Sequence, residues 1–134
     1  MAEKRLGQSD IMLTQVGLGC MGLSEYYGPP TEESAAIKLL HEAIDLGVNH
    51  FDTAELYGLG HNESLLGKAF NGRRNKVRIA TKFGPVRDPK TGAMLGLDGS
   101  KENCKRAVGG SLRRLQANHI DLYYLHRVDP NTPI

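Results

Sequence analysis

The stretch TEESAAIKLLHEAIDLGVNHFDT, residues 31 to 53, reads as one helix running directly into one strand. Thr31 is placed to cap the helix, and Glu32 and Glu33 put negative charge in the first turn, where the helix dipole favours it. Ala36, Leu39, Leu40, Ala43 and Leu46 recur at helical spacing, and Gly47 stands where a C′ glycine would end the helix. Val48 to Asp52 follows as a short extended run that finishes on a carboxylate.

The same grammar extends in both directions. Upstream, Val16-Gly17-Leu18-Gly19 reads as a buried strand, preceded by a small hairpin in which Gly7-Gln8-Ser9-Asp10 separates extended pieces between Arg5 and Leu13. Downstream come a helix from Asn62 to Phe70, with Asn62 as its cap, and a strand from Val77 to Lys82. A long loop with Gly84, Pro85, Pro89, Gly92, Gly96 and Gly99 leads to a third helix, capped by Ser100 and running to about Gln116. Its stripe Cys104, Val108, Leu112 and Leu115 is expected to face a sheet, and Asn118 to take the left-handed turn after it. Gly109 and Gly110 fall inside this helix, where each costs about 1 kcal/mol relative to alanine. Ile120 to Leu125 is the fourth strand.

Strands alternating with helices imply an α/β fold with a parallel sheet and right-handed crossovers. Two architectures fit, an open doubly wound sheet and the first half of a TIM (β/α)8 barrel. Gly17-Leu18-Gly19-Cys20-Met21-Gly22 is a loose G-x-G-x-x-G, but the next helix begins only at Thr31. A dinucleotide fingerprint needs the helix to start at the glycines, so that its N-terminus meets the pyrophosphate, and this disfavours the doubly wound reading.

Residues 1–134 have the composition of one soluble globular domain, with 40% hydrophobic and 24% charged residues. The net charge is +2 and the basic residues are interspersed with acidic ones, so no nucleic-acid partner is expected. No run approaches the ~18 apolar residues of a membrane span, and the first ten residues are polar. No membrane partner and a cytoplasmic location are therefore expected. Cys20 and Cys104 have the spacing of neither a disulfide framework nor a metal site, and both are read as reduced thiols.

The chemistry is concentrated at the C-terminal ends of the strands, where parallel α/β folds bind their ligands. The second strand ends in Asp52, followed by Thr53-Ala54-Glu55-Leu56-Tyr57-Gly58; the third ends in Lys82 and the fourth in His126. Alone, each has a bland reading: a solvated loop lysine, a structural histidine, a turn-capping aspartate. At three consecutive strand ends they converge on one mouth. Tyr26, Tyr27 and Phe83 are candidates to line it with apolar surface.

Three motifs carry a resemblance to a known family. They are Gly47-Val48-Asn49-His50-Phe51-Asp52-Thr53-Ala54-Glu55-Leu56-Tyr57-Gly58 with Asn62-Glu63 after it, Ala80-Thr81-Lys82-Phe83-Gly84, and Ile120 to Pro130 around His126. Together they resemble the aldo-keto reductases, and Gly17 to Gly22 is similar to the first strand of members that reduce small aldehydes and of potassium-channel β-subunits. The resemblance implies a (β/α)8 barrel of which this chain would be the N-terminal half, cut after strand four. It implies NADPH-dependent reduction of a small-molecule aldehyde or ketone to an alcohol, with Asp52, Tyr57, Lys82 and His126 as catalytic tetrad and Tyr57 as proton donor. Gly19, Cys20, Met21 and Asp52 would approach the nicotinamide ribose, and no metal is involved. The preference for NADPH rests on the family alone.

The implied roles make chemical sense. A phenol, with an ordinary pKa of ~10, is a poor acid near neutrality unless a cation stabilises its phenolate. Lys82 would supply that charge, Asp52 would hold the lysine, and His126 would hydrogen-bond the carbonyl oxygen. The alternative is a regulatory binding module that keeps the fold without turnover, as channel β-subunits do. Four strands of a barrel would also leave two unpaired edges and an apolar inner face, from which self-association is expected.

Overall fold

Short apolar runs between amphipathic segments fold into strand–helix repeats, and the computed structural model describes residues 1–133. Strands β1 (Glu3–Arg5) and β2 (Met12–Thr14) form the expected antiparallel hairpin, with Glu3 opposite Thr14. Then come β3 (Leu18–Gly19), α1 (Glu33–Asp45), β4 (His50–Asp52), α2 (His61–Ala69), β5 (Arg78–Phe83), β6 (Pro85–Arg87), β7 (Met94–Leu97), α3 (Lys101–Leu115) and β8 (Leu122–Leu125).

Strands β3, β4, β5 and β8 form one parallel sheet in sequential order. Its register aligns Gly19, Asp52, Ala80 and Leu122 in one row. Phe51 and Ile79, which alternate with that row, are fully buried in a single core with Ala36, Leu40 and Ile44 of α1, Leu65, Leu66 and Ala69 of α2, and Leu115 of α3. All three helices thus contribute to the core on one face of an unreversed sheet. A doubly wound fold would reverse its strand order and cover both faces, so the arrangement is that of a segment of barrel wall.

The opposite face follows from strand alternation and carries His50, Asp52, Arg78, Ala80, Lys82, Leu122 and Tyr124. The expected apolar inner face is therefore mostly polar.

The helix ends differ in detail from expectation. Glu32, not Thr31, caps α1, its carboxylate accepting from the Ala35 N–H at 3.0 Å. Gly60, at φ 90°, precedes α2, so Asn62 lies inside the first turn and is buried. Ser100 caps α3 as expected, accepting from the Asn103 N–H at 3.1 Å, but the left-handed residue that ends it is Gln116 (φ 52°) and not Asn118. The loop after β5 also holds an antiparallel hairpin, β6 with β7, that its glycines and prolines concealed.

The buried face of α3 is rotated from the expected stripe. Asn103, Ala107, Gly110, Ser111 and Leu115 are buried, while Cys104, Val108 and Leu112 are only half-buried. Small residues win because α2 comes very close. A Cβ built on Gly67 of α2 would lie 2.3 Å from the Arg114 carbonyl oxygen and 2.9 Å from the Leu115 carbonyl carbon, both backbone atoms that cannot swing away.

This contrast between glycines is testable. Gly67→Ala is expected to destabilise the protein by about 3 kcal/mol, the upper range for overpacking. Gly109→Ala, whose Cβ would meet only the mobile Arg113 guanidinium at 3.6 Å, should stabilise it by about 1 kcal/mol. Urea denaturation of both variants checks the pair; equal effects would mean that α2 and α3 are not in this contact.

Candidate active site

Because Asp52 aligns with Ala80, Lys82 lies two residues further along the same face and its ammonium returns across the end of β4. That ammonium has three hydrogens to donate. They go to Asp52 Oδ1 at 2.5 Å, the Thr53 carbonyl oxygen at 2.8 Å and the Tyr57 hydroxyl at 3.3 Å. The Lys82 side chain is 15% exposed, so its charge depends on these partners in place of water. Lys82 Nζ also lies 5.1 Å from the centre of the Tyr57 ring.

Tyr57 is only 7% exposed, and its ring meets His126 edge-on at 5.7 Å and Tyr26 at 6.5 Å. The His126 N–H donates to the Phe83 carbonyl oxygen at 2.8 Å, continuing the β5–β8 ladder and carrying the imidazole over the site. Burial first, then the Lys82 and Arg127 cations, hold the imidazole below its usual range, so it is neutral near pH 7. A neutral ring keeps one N–H to donate. Asp52, Tyr57, Lys82 and His126, read separately from three stretches of sequence, thus stand together.

The residues expected at a cofactor divide into two kinds. Gly19 is exposed beside Asp52, with no atom within 4 Å of where a Cβ would lie. Met21 is half-buried and opens a short 3-10 turn. Cys20 is fully buried, its N–H donates to the Asp52 carbonyl at 2.9 Å, and its carbonyl accepts from Asn62 Nδ2 at 2.7 Å. The Cys20 Sγ lies 3.5 Å from the Leu18 carbonyl oxygen. Its thiol is pushed up to about 12, by burial first and then by the Asp52 carboxylate. Phe83 turns away from the mouth, buried on the helix side and stacked on Tyr123 at 5.3 Å. Tyr26 and Tyr27 are exposed.

Two fully buried polar residues hold the site from below, roles that reading the sequence did not assign. Asn62 accepts from Thr53 Oγ1 at 2.6 Å and donates to Cys20 O and to Ser24 Oγ at 2.8 Å, tying the loop after β3 to the end of β4. Glu63 accepts from Thr81 Oγ1 and from Arg114 Nε, each at 2.6 Å, and so anchors the residue before Lys82 to α3. The adjacent Asn-Glu pair at the start of a helix was the signal available for both.

A cavity of about 440 Å³ lies behind the Tyr57 turn, between the β6–β7 hairpin and α3. None of the four candidate residues lines it, and its arginines, Arg87, Arg106 and Arg114, are paired with Glu25, Glu55 and Glu63. It offers no unpaired arginine. Among the described residues no His, Cys, Asp and Glu cluster could hold a metal, and no helix is long and apolar enough to cross a membrane.

The model of the aldo/keto reductase family matches residues 15–134. The aldo-keto reductase yakc of Schizosaccharomyces pombe, whose name specifies NADP(+), is 44% identical over 121 residues, covering 89% of this chain and 35% of its own length. The holo form of aldo-keto reductase AKR11C1 from Bacillus halodurans superposes with a TM-score of 0.83 at 42% identity, over 93% of this chain and 40% of that one. The glycerol dehydrogenase AKR11B4 from Gluconobacter oxydans gives 0.84 at 32% identity, over 98% and 41%. The chain therefore spans well under half the length of these similar proteins.

The burial of Cys20 is testable. Iodoacetamide at about pH 8 is expected to label Cys104 in the native protein and to reach Cys20 only after denaturation, because the thiolate is the reactive form. Peptide mapping distinguishes them. Comparable labelling of both would mean that Cys20 is not buried.

Proposed function

Because the chain belongs to the aldo/keto reductase family, we propose that it forms the tetrad-bearing N-terminal half of the (β/α)8 barrel of an NADPH-dependent enzyme reducing an aldehyde or ketone to an alcohol. The observation that carries the reading is the Lys82 ammonium, shared between the Asp52 carboxylate and the Tyr57 hydroxyl at the C-terminal edge of the sheet. NADPH, when bound, supplies the hydride. Gly19 and Met21, with the Asp52 carboxylate, are the residues of this chain that would hold its nicotinamide end.

The protein's part is the proton. A carbonyl carbon that accepts hydride leaves negative charge on oxygen, and Tyr57 donates its hydroxyl proton there. Lys82 stabilises the phenolate left behind, Asp52 keeps the ammonium oriented, and Tyr57 recovers a proton from solvent. The neutral His126 ring donates a hydrogen bond to the substrate oxygen and fixes its direction. The NADP(+) in the name of the yeast relative supports the cofactor choice, and the glycerol dehydrogenase among the structural neighbours supports alcohol–carbonyl interconversion.

Tyr57→Phe, in the protein expressed from its complete coding sequence, is expected to lower carbonyl reduction on the order of 10²–10⁴-fold while NADPH affinity stays within about twofold. Retention of more than about a tenth of the turnover would remove Tyr57 from the role of acid. Wild-type protein that binds NADPH and turns over no aldehyde or ketone would favour a regulatory module.

Residues 1–134 expressed alone are expected to show little turnover, because the nicotinamide must be held near attack distance and the matched relatives are more than twice as long. Strands β3 and β8 each keep one unpaired edge among the described residues, so the segment should self-associate. Light scattering with an NADPH oxidation assay checks both. A compact monomer that turns over would overturn the half-barrel reading.

A further inference from the structure

Tyr57 stands at the head of an improbable piece of backbone. Gly58 (φ 59°, ψ 29°), Leu59 (φ 53°, ψ 46°) and Gly60 (φ 90°, ψ −8°) are left-handed in succession. Leu59 is a branched residue where glycine is the usual choice, because its Cβ crowds the following carbonyl oxygen in a left-handed conformation. Strained segments of this kind persist only where their surroundings over-determine them.

Among those surroundings is an ion pair drawn from two distant segments. Glu25, in the loop after β3, accepts from Arg87 of β6 through both oxygens, at 2.8 and 3.0 Å. The same Glu25 Oε1 accepts from the Gly58 N–H at 2.8 Å, and the same Arg87 Nη1 donates to the Leu56 carbonyl oxygen at 3.1 Å. Those two backbone groups belong to the peptide units immediately before and after Tyr57. The planes of these two units define the φ and ψ of Tyr57, and with them the direction of its Cα–Cβ bond.

The pair is itself braced. Arg87 Nε donates to the Gly92 carbonyl oxygen at 2.7 Å across the β6–β7 hairpin, which aims the guanidinium inward. Ser24, the neighbour of Glu25, is held by Asn62 and by a hydrogen bond to His61 Nδ1 at 2.8 Å. The Arg87 and Glu25 side chains are 16% and 21% exposed, so solvent does not readily replace either partner.

We propose that the Glu25–Arg87 pair positions Tyr57: by gripping the peptide groups on both sides of it, the pair fixes the tyrosine backbone and so keeps the phenol in reach of Lys82. This rests on the reading of Tyr57 as proton donor. Glu25 and Arg87 touch neither substrate nor cofactor in this role. They are positioning residues, and the β6–β7 hairpin delivers one of them.

The test uses Glu25→Ala, Glu25→Gln, Arg87→Met and the Glu25→Ala/Arg87→Met double variant, in the protein from its complete coding sequence, with crystal structures and steady-state kinetics. Glu25→Ala is expected to move the Tyr57 hydroxyl off Lys82 Nζ by about 1 Å or more and to lower kcat roughly 100-fold, with KM for NADPH within about twofold. Glu25→Gln, whose amide oxygen still accepts from Gly58, should restore most of both. The double variant should be no worse than the worse single variant, because the two act as one unit.

Lower thermal stability with an unmoved Tyr57 and unchanged kcat would overturn the proposal and leave the pair a purely structural contact. Should Glu25→Ala fail to fold, Arg87→Met, which removes the donor to the Leu56 carbonyl, decides the same point. Tyr57→Phe is run alongside. If that variant stays active the proton-donor reading fails, and the crystallographic position of Tyr57 still decides whether the pair holds it.

Discussion

A lysine ammonium on a mostly buried side chain is the constraint around which this structure is arranged. Removing such a charge from water costs several kcal/mol after relaxation, and the cost is met only when every donor finds an acceptor in good geometry. Lys82 meets that condition with a carboxylate, a backbone carbonyl and a phenol. The requirement reaches back into the sheet. Side chains alternate between faces, so a slip of one residue between β4 and β5 would turn Lys82 toward the helices and leave Asp52 without its cation. Register, a property of backbone pairing, is thereby bound to the electrostatics of the site.

The second layer obeys the same rule with different partners. Asn62 and Glu63 are polar and fully buried beneath the site, a placement that would be destabilising unless their hydrogen bonds were made. Asn62 makes three, and Glu63 is satisfied by Thr81 and Arg114. Arg114 reaches Glu63 only because α3 lies against α2 at Gly67, and Gly110 leaves room for its guanidinium one turn earlier. A glycine that looks like a helix defect is therefore part of what holds Thr81, and with it the residue that carries the charge.

This layering accounts for what could be read from the sequence. Strand and helix order, the parallel sheet and the four converging side chains were readable because each depends on a local pattern: apolar periodicity, a C′ glycine at Gly47, a polar residue at each strand end. The errors fall where a distant partner decides. Asn62 looks like a cap and is a buried cross-link, since its partners Cys20 and Ser24 lie some forty residues away. Cys104 and Val108 have helical spacing, yet close approach by α2 turns Ala107, Gly110 and Ser111 inward instead. The β6–β7 hairpin was hidden because glycine and proline signal turns without saying what the turns connect.

The inner face completes the argument. A sheet segment whose exposed side carries His50, Asp52, Arg78, Lys82 and Tyr124 is not stabilised by that side, so the hydrophobic contribution comes almost wholly from the helix face, through Phe51, Ile79 and Val77. The two faces are thereby freed for different tasks. One secures the strands, and the other can hold charge at their ends without competing for the core. The Lys82 ammonium donates to Asp52, Thr53 and Tyr57, and the Tyr57 ring meets those of Tyr26 and His126. The arrangement of Lys82, Asp52 and Tyr57 thus depends on the ends of β4 and β5 and on the turn that follows β4.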